Sequence, residues 1–246
     1  MKVYSDIVYD DLNNKLDIYT PDKENFSTII FIHGGGFVEG DKAQDNIKEI
    51  GYSFVKSGYA FVSINYRLYP VAKYPDYLVD ASNAITYIKN HIKEYGGNGK
   101  IIVSGQSAGA YTALMLALSN KYGDYSDICG FIIDSAQTTT HFRVLEKEYG
   151  LDSYLERIDD KAPIYYVNKD TKFSKMLLIA YQDDIVKRRA QNELFYQTIK
   201  HYNSNASIEL KILKGGHCHG SCVKDDDNEY EYYKESIKWI RDNNVV

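Results

Sequence analysis

Three short stretches hold residue types that could do chemistry together. Gly105-Gln106-Ser107-Ala108-Gly109 is a G-x-S-x-G pentapeptide between an apolar run, "KIIVSG", and a helical one, "AYTALMLALSN". On such a strand-to-helix turn, small neighbours permit a sharp bend that lifts the serine hydroxyl above the sheet edge. The helix N-terminus then favours a developing oxyanion. The same five letters also describe a glycine-rich turn with an N-capping serine. The second stretch, "FIHGGGF", has three consecutive glycines whose N–H groups can face a ligand with no Cβ in the way. A dinucleotide cradle would need G-x-G-x-x-G opening a helix, whereas Phe37, Val38 and Glu39 follow here. His33 reads as a brace for this loop rather than a base. The third stretch, "GGHCHGSC" at 215–222, packs two histidines and two cysteines into eight positions. It is open to a metal site, a disulfide loop or a catalytic turn.

A serine nucleophile needs a base, and the chain has six histidines, at 33, 91, 141, 201, 217 and 219. His201 falls in the helical "YQTIKHY", where a surface role is the simpler account, and His141 falls in an irregular segment. His217 and His219 stand just past the apolar run "SIELKIL". The run before that, "KMLLIAY", is followed by Gln182-Asp183-Asp184-Ile185-Val186. Either aspartate could orient an imidazole and stabilise its charged form, or the pair could be a solvated turn. A metal at 215–222 lacks a second Cys/His cluster to complete a tetrahedral site. A Cys218–Cys222 disulfide suits the spacing but not a reducing compartment, and Cys129 reads as buried packing at a strand start.

The elements that must position these residues follow from periodicity. "KVYSDIVYDDLNNKLDIYTP" alternates apolar and polar residues about a turn at 11–14, an edge hairpin. "TIIFIH", "YAFVSINY", "KIIVSG", "CGFIIDSA", "KMLLIAY" and "SIELKIL" are near-continuous β-branched runs, expected of strands covered on both faces in a parallel sheet. Helical patterns fill 43–57, 77–95, 107–120, 188–202 and 230–241 between them. Strand and helix alternate, which predicts an α/β sheet with helices on both faces. Residues 138–175 interrupt the alternation and form a candidate lid.

Bulk properties narrow the partners. A chain of 246 residues with 44% hydrophobic and 26% charged residues suits one globular domain over 1–246. A net charge of -5 without long single-sign blocks offers no footprint for nucleic acid or an anionic membrane, so a small-molecule substrate is expected. Three cysteines and no apolar leader point to a cytoplasmic location. The 24 tyrosines are suited to half-buried strand faces and the walls of polar pockets. The oligomeric state is left open.

With these residues in place the chain resembles an α/β-hydrolase of the hormone-sensitive-lipase-like and feruloyl/acetyl esterase branch. "LDIYTP" resembles the strand before the family's oxyanion loop and "FIHGGGFVEGDK" the loop itself. "VSINYRLYPVAKYPDYLVDASNAITYIKNHIKEYGGNGKIIVSGQSAGAY" resembles its tyrosine-arginine-leucine segment, helix and nucleophile elbow in order. The resemblance implies an α/β-hydrolase fold with about eight mostly parallel strands, and the chain order Ser, acid, His, which removes His33 and His91 as bases. It implies Ser107 as nucleophile and the N–H groups of Gly35, Gly36 and Ala108 as the oxyanion hole. Asp184 matches the family acid, with Asp183 as the alternative, and His217 is preferred to His219 as base because it follows paired glycines. The implied activity is a serine carboxylesterase acting on small or carbohydrate-linked esters, with no cofactor or metal. A kynurenine-formamidase-like amide hydrolase or a peptidase relative is the alternative. The short stretch before the oxyanion loop leads to the expectation of no large N-terminal cap and of an open site with tyrosine-rich walls.

Overall fold

In the computed structural model, which describes residues 1–140, 150 and 156–246, the apolar runs pair into one eight-stranded sheet. The strands are β1 (Lys2–Val8), β2 (Lys15–Thr20), β3 (Phe26–Ile32), β4 (Ala60–Ile64), β5 (Gly97–Gln106), β6 (Gly130–Asp134), β7 (Lys175–Tyr181) and β8 (Ile208–Leu213). Their spatial order is β1-β2-β4-β3-β5-β6-β7-β8. The expected hairpin is present, with β1 at the edge and β2 antiparallel to both neighbours; every other pairing is parallel.

Parallel strands need both faces covered, and the side-chain alternation along β3 shows how this is met. Ile30 and Ile32 face one core, shared with Val62, Val103, Phe131 and Leu178. Ile29 and Phe31 face the other, shared with Phe61, Ile102, Ile132 and Leu177. Helices α2 (Asp76–His91), α3 (Ala108–Leu118) and α4 (Arg188–Tyr202) cover the first face through residues such as Leu78, Leu114 and Phe195. Helices α1 (Asp45–Lys56) and α6 (Glu231–Asp242) cover the second through Ile47, Phe54, Tyr232 and Trp239. A four-residue α5 (His219–Cys222) lies between β8 and α6. Among the described residues no helix is long and apolar enough to cross a membrane.

Four expectations differ in detail. The helical pattern at 77–95 divides into α2 and a 3₁₀ turn, Ile92–Tyr95, stopped by Gly96 at φ 97°. "SIELKIL" is not covered on both faces: β8 is the sheet edge and is mostly half-buried, because no strand lies beyond it to shield Glu209 and Lys211. Cys129 stands one residue before β6, half-exposed, and packs at the margin of the second core. The candidate lid at 138–175 falls partly outside the described residues, as does His141. Its described parts include a buried run from Thr138 to Thr140 and a 3₁₀ turn, Pro163–Tyr166.

The topology has a direct consequence for chemistry. The chain leaves β3 toward β4 on one side and later returns to place β5 on the other, so a crevice opens beyond their carboxyl ends. Register holds those ends level, with Ile32 opposite Gly105, Gln106 opposite Asp134 and Asp134 opposite Ile179. The glycine loop, Ser107, the aspartate pair and the histidine loop therefore emerge on one rim.

Candidate active site

Ser107 sits between β5 and α3 at φ 53° and ψ -112°. A non-glycine residue there stores of order 1–3 kcal/mol of backbone strain, which surrounding contacts must hold. The Ser107 N–H donates to Asp134 O at 2.8 Å, and Tyr111 N–H donates to Ser107 O at 2.9 Å. The glycines either side are dictated by space. A Cβ on Gly105 would lie 2.3 Å from the Gly109 backbone, and one on Gly109 would lie 2.0 Å from Ile32 O. The elbow can be this tight only with both side chains absent.

The glycine loop is held from below. His33 is buried and its Nδ1–H donates to Gly34 O at 2.7 Å, while Tyr66 OH donates to His33 O at 2.9 Å and the two rings stack at 4.4 Å. Burial lowers the His33 pKa, which keeps the ring neutral. Because a trans peptide points its C=O and N–H in opposite directions, pinning Gly34 O turns the Gly35 N–H away from His33. Phe37, at φ 64°, closes the loop by stacking on Tyr77 at 3.8 Å. The segment carrying Tyr66 is anchored in turn by Arg67, whose Nε and Nη2 both donate to the buried Asp80 at 2.9 and 2.8 Å.

The histidine loop reaches the serine from β8. Its turn uses Gly215 at φ 99° and Cys218 at φ 57°, and Tyr181 OH accepts the Gly220 N–H at 3.0 Å. His217 Nε2 lies 2.8 Å from Ser107 Oγ, and its Nδ1 lies 2.5 Å from Asp184 Oδ1. Asp183, exposed, makes no such contact; its N–H donates to Gly215 O at 3.0 Å. His219 instead lies against Gly215, where an added Cβ would meet its ring carbon at 2.5 Å. His91 pairs with Glu94 at the far end of α2, and His201 lies exposed on α4. All three cysteines are free thiols.

Three buried polar residues behind these groups have no counterpart in the expectations. Ser135 Oγ donates to Asp184 Oδ2 at 2.8 Å and accepts the Cys218 N–H at 3.3 Å. Burial alone would raise the Asp184 pKa, but the His217 and Ser135 contacts and the Ile185 N–H outweigh it and hold the carboxyl below the ordinary aspartate value. Asp134 accepts from Ser221 Oγ, which lies within reach of Gln106 Nε2 at 2.9 Å. Burial pushes Asp134 up to about 6 against the Ser221 and Tyr181 hydroxyls, and its Oδ1 has no partner among the described residues. Arg188, also buried, donates to Ser135 O at 2.8 Å and Gln137 Oε1 at 3.2 Å.

A cavity of about 590 Å³ opens over Ser107 and His217. Its rim and walls include Gly34, Gly35 and Gly36. Ala108, directly after Ser107, is the first residue of α3, where a helix leaves its N–H unpaired within the helix. Among the described residues the expected tyrosine-rich walls are not found; Tyr149 and Tyr154 of the candidate lid lie outside those residues. Among the described residues the lining side chains are polar, including Glu39, Gln44, Asn46, Gln106, Gln137 and Arg188, with Ile185 the large aliphatic one. Five tyrosines, Tyr19, Tyr77, Tyr111, Tyr181 and Tyr232, are fully buried in the cores instead.

A model of the BD-FAE family matches residues 16–183, which run from β2 through β7 and take in the glycine loop, the elbow and Asp183. The chain belongs to the BD-FAE family. This BD-FAE chain is similar to a probable isoprenylcysteine alpha-carbonyl methylesterase of Arabidopsis thaliana, at 36% identity over 111 residues, 44% of this chain and 23% of that one. It is also similar to the acetyl esterase of Salmonella paratyphi B, at 34% identity over 112 residues, 45% and 33% of the two chains. Less than a third or about a third of those relatives' length is therefore spanned. Among solved structures, Thermogutta terrifontis esterase 2 phosphoramylated by tabun superposes with a TM-score of 0.79 at 20% identity, covering 100% of this chain and 95% of that one. Esterase B of Lactobacillus rhamnosis with a phosphonate inhibitor gives 0.79 at 18% identity, covering 98% and 85%. This BD-FAE chain shares their α/β-hydrolase fold.

Proposed function

We propose that the chain is a serine carboxylesterase in which Ser107 is the nucleophile, His217 the base and Asp184 the acid that orients it. The reading rests above all on one observation, the unbroken contact chain from Asp184 through His217 to Ser107 at 2.5 and 2.8 Å. His217 Nε2 takes the Ser107 proton as Oγ attacks the ester carbonyl carbon, and Asp184 stabilises the imidazolium that forms. The carbonyl oxygen, now negative, receives N–H groups of Gly35, Gly36 and Ala108, at a helix N-terminus that favours the charge. His217 returns the proton to the departing alcohol, and water then cleaves the acyl-enzyme by the same route.

The polar cavity directs the substrate class. A long acyl chain needs an apolar wall to repay its desolvation, about 0.8 kcal/mol for each buried CH₂, and among the described lining residues only Ile185 offers one of size. Small or carbohydrate-linked esters fit the amide and carboxylate side chains better. The names of similar proteins, an acetyl esterase and a methylesterase, agree with short groups. The test is a series of p-nitrophenyl esters from acetate to decanoate, run beside acetylated xylan and N-formylkynurenine. The expected optimum is at acetate to butyrate with acetate released from the xylan. Faster turnover of decanoate, or of N-formylkynurenine, would overturn the proposed substrate class.

A further inference from the structure

The candidate acid is held from behind by a residue that makes four contacts in four directions. Ser135 follows β6, fully buried, with φ 55°. Its N–H donates to Ile179 O of β7 at 2.9 Å, and its carbonyl accepts from Arg188 Nη1 of α4 at 2.8 Å. Its hydroxyl donates to Asp184 Oδ2 at 2.8 Å and accepts the Cys218 N–H, next to His217, at 3.3 Å. One small side chain thus ties the loop carrying the acid to the loop carrying the base. The left-handed backbone that aims it is unfavourable for serine, so something must hold it. Arg188 does so: its guanidinium is buried, a second nitrogen holds Gln137 Oε1, and among the described residues no carboxylate lies within ion-pair distance of it. A cation is retained in the interior on two neutral carbonyls, one of them Ser135.

We propose that Ser135, clamped by Arg188, is a positioning residue that fixes the Asp184 carboxylate against His217 and locks it to the His217 loop. This rests on the reading of Ser107, His217 and Asp184 as the catalytic set. The two oxygens of Asp184 do separate work. Oδ1 takes His217 Nδ1–H and the Ile185 N–H, while Oδ2 takes the Ser135 hydroxyl. Without that hydroxyl the carboxylate can rotate about its Cβ–Cγ bond, and the imidazole loses its fixed direction. The carboxylate also becomes more basic, because one donor to its charged form is gone. A more basic Asp184 stabilises the His217 imidazolium further, which moves the pH dependence of activity upward. The charged or titratable groups facing this pair among the described residues are Arg188 from α4, Asp134 from β6 and Cys218 from the histidine loop, with Glu156 near Arg188. Of these, only Cys218 also touches the Ser135 hydroxyl, and burial raises its thiol well above the ordinary value, so it stays neutral.

The experiment compares wild type, Ser135→Ala, Ser135→Gly, Arg188→Met and Arg188→Lys, with p-nitrophenyl acetate as substrate. Hydrogen bonds to charged groups contribute enough that kcat should fall about 10- to 100-fold in Ser135→Ala, with KM within about twofold. The acid limb of the kcat/KM profile should move to higher pH. Ser135→Gly separates hydroxyl from backbone: it relieves the strain at φ 55° yet should lose the same activity. Arg188→Met should follow Ser135→Ala, and Arg188→Lys should recover part of the loss. The proposal is overturned if Ser135→Gly keeps wild-type kcat, or if Ser135→Ala lowers only the melting temperature with the acid limb unmoved. Should wild type not hydrolyse the ester at all, the functional reading fails and the clamp is judged by proton NMR. The strongly hydrogen-bonded Nδ1–H signal of His217 should be present in wild type and lost or shifted upfield in Ser135→Ala; an unchanged signal overturns the clamp.

Discussion

Replacing Asp134 with asparagine should change the pH dependence of stability in a calculable way. Asp134 is fully buried at the end of β6, its backbone carbonyl holds the Ser107 N–H, and its Oδ1 is unpartnered among the described residues. Burial raises the carboxyl from 3.8 to about 6. The folded state therefore holds the proton to higher pH than the unfolded chain does, and stability falls as pH rises through that window. Roughly two pH units at about 1.4 kcal/mol each amount to about 3 kcal/mol, lost mostly between pH 4 and pH 7. Asparagine cannot ionise, so the variant lacks this slope. Its own offset is set by how well the amide accepts from Ser221, and that offset does not vary with pH. Urea unfolding of both proteins at intervals from pH 4 to pH 8, extrapolated to water, should show the variant gaining about 2–3 kcal/mol on wild type across the range. A difference that is flat, or that runs the other way, would show that the carboxylate is solvated or paired when charged and that burial does not hold its proton.

Other perturbations follow from the same geometry. Asp184→Asn should reduce kcat about 10³- to 10⁴-fold by favouring the wrong imidazole tautomer, whereas Asp183→Asn, which loses only an exposed carboxylate, should stay within about twofold; steady-state kinetics on p-nitrophenyl acetate distinguishes them. His217→Ala should be comparably inactive, and His219→Ala should keep most of its kcat while shifting the melting temperature, since its ring packs on Gly215. Gly109→Ala places a methyl group 2.0 Å from Ile32 O, an overlap that must displace α3 from β3. It should cost about 3 kcal/mol or more, read as a lowered urea midpoint or insoluble expression.

The fold and the contact chain are legible in the sequence to different degrees, for physical reasons. Runs such as "TIIFIH" and "GFIID" stand out because a strand covered on both faces needs apolar side chains at every position. The elbow stands out because only glycine fits at 105 and 109. The edge strand β8 is harder, since "IELKIL" contains the alternation of a half-covered strand within an otherwise apolar stretch. Among the described residues the buried tyrosines line the cores and not the cavity, because the same amphipathic ring serves a pocket wall or a core and periodicity does not report which. Ser135, Asp134 and Arg188 have no local signature at all. Their roles arise from the register that sets Asp134 beside Ile179 and from the start of α4 lying against the segment that follows β6. The one signal available was a polar tract, "DSAQTTT", directly continuing a buried strand: seven residues that are all buried, and so must find partners.

If Ser107 attacks the ester and carries the acyl group, a reagent that mimics the ester must label it. Wild type and Ser107→Ala, both shown to be folded by circular dichroism, should be treated with an excess of a reactive phosphonate ester and compared by intact mass, peptide mapping and residual turnover of p-nitrophenyl acetate. One phosphonyl group per wild-type chain is expected, located on Ser107, with activity lost in step, and neither labelling nor measurable turnover in Ser107→Ala. Labelling at another residue, or esterase turnover by Ser107→Ala near the wild-type rate, would contradict it.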